Sequence, residues 1–417
     1  MASKLSTGQG GYRIRMKESG VVTPEVEMSS FDSSVSRVLI VYPHIPHYRR
    51  AVFECLEREV SMQVTFAADT TSGPSGIPTV NLEVFNRSLR LRNVWRGSIL
   101  WQRGLLPHLL RERYDHAIFL GNASYLSTWA ALLLLRFRRT RTYLWTIGWH
   151  KPDTGFKRFL RVGFYRMADA LMLYGIDGRR IALDAGISPE KITVVGNSQN
   201  FAPDEIEVLE RFGGKMRDVP TIGAVVRFTA WKRLDLLLHA VSILKSRGAL
   251  LRVLLVGDGP ERGALESLAG ELKIDARFTG AVYDDARLHE ILSELDLTVM
   301  PEVAGLTVIQ SLSYGIPVVT VDDPDRQAPE FRAVVPGVTG GLYEAGNVHA
   351  LADEIETWLA RLKGNAEDVA RACVREVREN WSPASNAARI LEALQTGQGH
   401  DPGWACQPDS FPRREND

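Results

Sequence analysis

Short apolar runs recur along this chain in two successive rounds, each run followed by a stretch with helical spacing. That rhythm limits the possible folds more than any single motif does. The first round contains Arg37-Val-Leu-Ile-Val-Tyr42, Gln63-Val-Thr-Phe-Ala-Ala68, Ala117-Ile-Phe-Leu120, Thr142-Tyr-Leu-Trp145, Ala170-Leu-Met-Leu-Tyr174 and Ile192-Thr-Val-Val195. The second contains Pro220-Thr-Ile-Gly-Ala-Val-Val226, Leu251-Arg-Val-Leu-Leu-Val256, Ala276-Arg-Phe-Thr279, Leu297-Thr-Val-Met300 and Pro317-Val-Val-Thr-Val321. Runs this short and this apolar read as strands buried on both faces, and a helix over about 49–60 fits the first interval. Strands alternating with helices imply right-handed crossovers and a parallel sheet. The expected fold class is therefore α/β, with two Rossmann-like doubly wound domains.

A chain of 417 residues exceeds one ordinary core, which agrees with two domains. The N-terminal Rossmann-like domain is expected over 37–198. Residues 199–219 are polar and aperiodic and read as a linker. The C-terminal Rossmann-like domain is expected over 220–375, with a helix over 376–397 packing back on the first domain. Residues 1–36 and 398–417 have the composition of disordered tails. Two such halves face across a cleft, and ligands of doubly wound folds lie at the carboxyl ends of the strands.

The formal net charge is zero, yet residues 87–166 hold sixteen lysines and arginines against three acids, Glu112, Asp115 and Asp153. Within that segment, 105–113 and 156–166 mix apolar and cationic residues at helical spacing, a pattern suited to an anionic membrane surface. It lacks the interleaved motifs of a nucleic-acid module, so no specific nucleic acid is expected. Three scattered cysteines argue for a reducing compartment rather than a disulfide framework. The first 36 residues lack the apolar region of a signal peptide. The longest apolar run, 129–135, is far below the roughly 20 residues of a spanning helix. The expected location is cytoplasmic, peripheral on the inner face of the cell membrane.

The most informative single stretch is Pro301-Glu-Val-Ala-Gly-Leu-Thr-Val-Ile-Gln-Ser-Leu-Ser-Tyr-Gly-Ile-Pro317. Glu302 leaves a strand end, a small-residue turn follows at Ala304-Gly305, and a helix is expected near Thr307, read as its N-cap. Free amides at such a helix start suit a phosphate or diphosphate. Gln310 lies one turn inside, able to hydrogen-bond a polyol without a second charge. Arg227 and Lys232 follow the first strand of the second half, where two cations fit a diphosphate leaving group.

These stretches together resemble the retaining nucleotide-sugar glycosyltransferases of family 4 (glycosyl transferases group 1), whose fold is the glycosyltransferase-B type. Glu302…Gln310 resembles that family's Glu-x7-Glu signature with the second Glu replaced by Gln. Val-Val-Arg-Phe-Thr-Ala-Trp-Lys-Arg resembles its Gly-Arg-Leu-x-x-x-Lys-Gly segment, with Val226 and Arg233 in place of the glycines. Leu255-Val-Gly-Asp-Gly-Pro260, Phe278-Thr-Gly280, Gly315-Ile-Pro-Val318 and Gly337-Val-Thr-Gly-Gly-Leu342 follow in family order. Upstream, Gly186 to Asn197 resembles the segment that ends in Pro-Asn-Gly in the family. The resemblance covers about 165–395 well and the first 160 residues loosely.

The resemblance implies sugar transfer from a nucleotide-diphosphate donor with retention of configuration, no resident cofactor and no required metal. Arg227 and Lys232 would hold the donor diphosphate with the amides of Gly305, Leu306 and Thr307. Glu302 would contact the transferred sugar, and Gln310 would face the ribose, where losing the carboxylate loses a charge-assisted bond. His150, in Leu144-Trp-Thr-Ile-Gly-Trp-His150, resembles the histidine that reaches the donor sugar from the first domain. His44, His47, Tyr48 and Arg49 stand where an acceptor loop belongs. The expected acceptor is a lipid-linked saccharide of surface polysaccharide synthesis. A soluble small molecule, or an inactive nucleotide-binding homologue, are the alternatives. Gly257, Gly259 and Gly263 miss the dinucleotide fingerprint by one residue, and the acids of 321–325 read as a solvated turn rather than a metal site.

Overall fold

The computed structural model describes residues 35–71, 78–149, 153–199, 208–210 and 217–397. The tail expectations for 1–34 and 398–417, most of the linker, and His150 lie outside the described residues. Two parallel sheets form the molecule. In the first, β1 (Ser36–Val41), β2 (Met62–Ala68), β3 (Ser88–Arg90), β6 (His116–Leu120), β7 (Arg141–Thr146), β8 (Ala170–Leu173) and β9 (Ile192–Val194) are ordered β3-β2-β1-β6-β7-β8-β9. In the second, β10 (Thr221–Val225), β11 (Arg252–Val256), β12 (Ala276–Phe278), β13 (Leu297–Met300), β14 (Val318–Val321) and β15 (Gly340–Tyr343) are ordered β12-β11-β10-β13-β14-β15. This is the α/β class expected, with the apolar runs buried between helical layers except at the edge strand β12, which is only partly covered.

Both faces of the first sheet are covered. On one lie α1 (Arg50–Glu57) and α11 (Pro383–Thr396), which share a core of Val38, Ile40, Phe53, Phe66, Ile390 and Leu394. On the other lie α2 (Leu105–Arg111), α3 (Leu126–Phe137), α4 (Gly155–Met167) and α5 (Ile176–Asp184), joined through Leu105, Leu132, Phe164 and Ile181. The second sheet packs α6 (Leu234–Ser246) and α10 (Val348–Glu376) against Ile222, Val253, Val299 and Val319. α10 kinks at Asn365, and a π-helical turn at Val377–Trp381 redirects the chain into α11, on the first domain. No described helix is long and apolar enough to cross a membrane.

Several elements differ from the sequence expectation. α1 is shorter than 49–60, because a 3-10 turn at His47–Arg49 precedes it and Arg58 closes it. β15 carries two glycines and no apolar run. Gly340 is required there, since a Cβ would collide with the Val318 carbonyl. An antiparallel hairpin, β4 (Arg92–Arg96) with β5 (Ile99–Arg103), has no counterpart in the periodicity, because half of its residues are polar or cationic.

Candidate functional site

β10 and β13 are neighbours in the second sheet, so the segments leaving their carboxyl ends meet. After β10 the chain runs Val226-Arg227-Phe228 across Gly257 and Gly259. A Cβ at either glycine would strike the Val226 or Phe228 carbonyl, and the Phe228 N–H donates to the Asp258 carbonyl at 3.0 Å. The Gly-Asp-Gly run therefore seats the loop that carries Arg227. Phe228 is buried, whereas Arg227 is exposed at the mouth of the strand ends.

Lys232 closes a 3-10 turn and is buried, its Nζ donating to the Val303 carbonyl at 2.7 Å and lying 4.6 Å from the Trp231 ring centre. Burial pulls its pKa down to about 8, and the charge of Glu330 opposes the shift only in part. Arg233 has φ +50°, a left-handed conformation that favours glycine. It keeps the place through a bidentate pairing with Asp235, at 3.0 and 2.9 Å.

The segment after β13 is fixed from three sides. The Tyr343 hydroxyl donates to the Pro301 carbonyl at 2.7 Å, and Thr320 Oγ1 to the Glu302 carbonyl at 3.2 Å. Gln327 Oε1 accepts the Ala304 N–H at 2.9 Å while its Nε2 donates to Thr320 Oγ1 at 2.8 Å. Gly305 has φ +56° and turns the chain into α9 (Thr307–Ser313). The N-cap is Leu306, not Thr307. Thr307 Oγ1 instead donates to the Val225 carbonyl at 2.9 Å, tying this loop to the end of β10. Val308 is the first residue here whose N–H turns inward, to the Gly305 carbonyl at 3.1 Å.

The Glu302 carboxylate is buried and accepts from Arg326 Nη2 at 2.6 Å. Burial pushes its pKa above the ordinary carboxylate range, with Arg326 and Arg233 pulling the other way. Gln310 is half-buried one turn into α9, and its side-chain amide has no partner among the described residues. Arg227, Lys232, Glu302, Gly305, Leu306, Thr307 and Gln310 thus stand on two adjoining loop-helix segments. Sequence reasoning missed Arg326, Gln327, Thr320 and Tyr343. Their one signal was position just past, or within, buried strands of the same sheet. Asp323 caps the turn at 324–326, accepting the Asp325 N–H at 3.0 Å.

Across the cleft, the first domain offers Pro43 to Arg49. Arg49 is buried, its guanidinium 4.7 Å from the Trp145 ring, 5.0 Å from Tyr174 and 5.7 Å from Tyr48. His44 Nε2 lies 3.1 Å from Asn93 Nδ2, while His47 is exposed. The two domains touch through Arg332, bidentate on Asp177 at 3.0 and 2.7 Å, and through Asn197, which donates to Glu330.

Two parallel-sheet domains joined by a returning C-terminal helix, with loops converging at their strand ends, define the glycosyltransferase-B architecture. Residues 206–372 match the family model described as Glycosyl transferases group 1. The chain is 29% identical to a 2-deoxystreptamine glucosyltransferase from Streptomyces kanamyceticus over 204 residues, 45% of this chain and 52% of the relative. It therefore spans about half the length of that curated relative. Its fold is similar to a glycosyltransferase from Rickettsia africae, with TM-score 0.65 and 16% identity over 87% of this chain and 98% of the other. It is also similar to Anabaena Alr3699/HepE solved with UDP, with TM-score 0.63 and 16% identity over 87% of this chain and 100% of the other.

Proposed function

We propose that this chain transfers a sugar from a nucleotide-diphosphate donor held by the second domain to a saccharide acceptor held by the first. The observation that carries this reading is the junction of two loops, Arg227 to Lys232 and Glu302 to Gln310, through the Lys232–Val303 and Thr307–Val225 hydrogen bonds. Arg227 and Lys232 bind the diphosphate, and their charge stabilises the negative charge that develops on it as the glycosidic bond breaks. The amides of Gly305, Leu306 and Thr307 add donors to the same group. Glu302, oriented by Arg326, accepts hydrogen bonds from hydroxyls of the transferred sugar. Gln310 accepts one ribose hydroxyl bond and donates another. His150 is assigned to the donor sugar, as the family resemblance implies.

The reaction retains the anomeric configuration, as in family 4, and needs neither a metal ion nor a cofactor. The departing diphosphate takes the acceptor proton on the same face of the sugar, so positioning supplies much of the catalysis. The acceptor is a lipid-linked saccharide of surface polysaccharide or glycoconjugate synthesis, and the protein works in the cytoplasm, peripheral on the inner face of the membrane. The unequal charge of residues 87–166 supports that placement over a soluble acceptor. A panel of nucleotide-sugars with mass detection, run with and without EDTA, tests the reading. Hydrolysis or transfer from one donor, unaffected by EDTA, is the expected result. Inertness toward every donor with nucleotide still bound would mark an inactive homologue.

A further inference from the structure

The β4–β5 hairpin has an inner and an outer face, and its register fixes which residues share each. Asn93 opposes Gln102, and these two point inward. Gln102 Nε2 donates to the Tyr42 carbonyl at 3.0 Å, and Asn93 Nδ2 to the Pro43 carbonyl at 2.9 Å. The Asn93 N–H reaches the Asp69 carboxylate at 2.7 Å. The hairpin is thereby pinned to the end of β1, beside the loop assigned to the acceptor.

The outer face pairs Arg92 with Arg103, Val94 with Trp101, and Arg96 with Ile99. All but the half-buried Val94 are exposed, Trp101 by 40% and Ile99 by 43%. Among the described residues, none of the three guanidiniums has a hydrogen bond or ion pair, and the hairpin contains no acid. Like charges placed directly opposite on a ladder destabilise it, so the Arg92–Arg103 pair is unfavourable unless an anion lies across it. A tryptophan and two aliphatic residues between cations match the chemistry of a lipid interface, where indole rings sit at headgroup depth and basic residues meet phosphates.

Phe156 and Phe159 of α4 are exposed, but the arginines of that helix are less free for a lipid phosphate than its sequence suggests. Arg161 is held by Asp153 at 2.9 Å and donates to the Gly148 carbonyl at 3.2 Å. Arg158 donates to the Asp184 carbonyl at 3.2 Å and Arg166 to the Gly186 carbonyl at 3.1 Å. These side chains hold the domain together.

We propose that the outer face of the β4–β5 hairpin docks this protein on an anionic lipid bilayer, the contact being made by Arg92, Arg96 and Arg103 around Trp101 and Ile99. The inference rests on the peripheral placement proposed above and gives it a surface. Docking there would bring the loop from Tyr42 to Arg49 to the membrane plane, where a lipid-linked acceptor resides.

Sedimentation of the full chain with phosphatidylcholine vesicles, with and without about a third of phosphatidylglycerol, tests it. Binding is expected only with the anionic lipid and should fall as salt rises. Arg92→Gln with Arg103→Gln should weaken it by more than tenfold, and Trp101→Ser severalfold, with thermal melts unchanged. Lys363→Glu, an exposed change on the second domain, should leave binding as it is. Undiminished binding by the hairpin variants, an equal loss in Lys363→Glu, or binding to soluble alginate without binding to vesicles would each overturn the proposal. Donor hydrolysis in vesicle-free solution reports separately on the glycosyltransferase reading. Hairpin variants that leave vesicles yet hydrolyse donor support the surface and keep that reading. An inactive wild type that still docks sinks the reading and keeps the surface.

Discussion

The two sides of the cleft differ in how far their own side chains are committed to the fold. In the second domain the loops after β10 and β13 are fixed largely through backbone atoms: Tyr343, Thr320, Lys232, Gln327 and Thr307 all bond to main-chain groups. Arg227 and Gln310 are left with side chains uncommitted among the described residues. In the first domain the loop from Pro43 to Arg49 is likewise bonded through main-chain groups at Pro43, Ile45 and His47, but its own side chains are committed as well. Arg49 is sunk among aromatic rings and His44 leans on Asn93. A frame that spends its backbone on rigidity keeps side chains free for a ligand; one that spends side chains does not. The second domain should therefore tolerate loss of Arg227 structurally and fail chemically, and the first domain should do the reverse.

Arg227→Ala and Lys232→Ala should have the largest effect. Losing one donor aimed at developing charge typically costs ~2.7–4 kcal/mol, so kcat/KM should fall by two to three orders of magnitude or thereabouts. Arg227→Ala should leave the melting temperature nearly unchanged. Turnover close to wild type in both variants would remove them from the diphosphate site. Lys232 adds a pH test. Its pKa falls from 10.5 to about 8 on folding, so between those values the unfolded chain holds a proton that the folded chain has released. Stability from this group therefore rises with pH across that window. Donor affinity, which needs the ammonium, should fall as pH rises through about 8 in the wild type and lose that dependence in Lys232→Arg.

Arg49→Ala inverts the pattern. A desolvated cation over a ring contributes up to ~2 kcal/mol and a cavity adds to the loss, so denaturant melts should show destabilisation of about 2–4 kcal/mol. Nucleotide affinity, measured by calorimetry, should not change. Weaker nucleotide binding with intact stability would mean that the first domain shapes the donor site after all.

Gln310→Glu should tighten nucleotide binding, since a charge-assisted bond exceeds a neutral one and is worth ~1.5–3 kcal/mol before compensation. Calorimetry on both proteins decides, and a weaker Glu variant would show a pocket tuned to an amide. Tyr343→Phe is the smallest test. It removes one buried bond to the Pro301 carbonyl, worth about 1 kcal/mol in stability, and should raise the donor KM slightly.

What could be read from residues alone follows the same division. β1, β7, β11 and β14 announce themselves because both faces are covered, so the sequence has no polar alternation to confuse. The hairpin and β15 are silent for the opposite reason. One is half solvent-facing and cationic, the other is glycine where backbones crowd. Spacing within 301–310 gives the order of Glu302, Gly305 and Gln310 along one turn. It cannot give Arg326 at 2.6 Å from Glu302, because that contact depends on β14 lying next to β13. Thr307 misleads for a similar reason. Its hydroxyl has a cap's chemistry, but here it donates to the Val225 carbonyl at the end of β10.

The short stretch from Arg326 to Arg332 joins partners on both sides of the cleft. Arg326 and Gln327 grip the loop of Glu302 and Ala304, while Glu330 and Arg332 grip Asn197 and Asp177 in the other domain. Only Ala328 and Pro329 lie between Gln327 and Glu330, and three Cα–Cα steps reach at most about 10 Å when drawn straight. It has little slack to give. Swinging the first domain away must therefore snap the distal grip or tug on the Glu302 carboxylate, much as a taut cord between two hinged plates registers their angle.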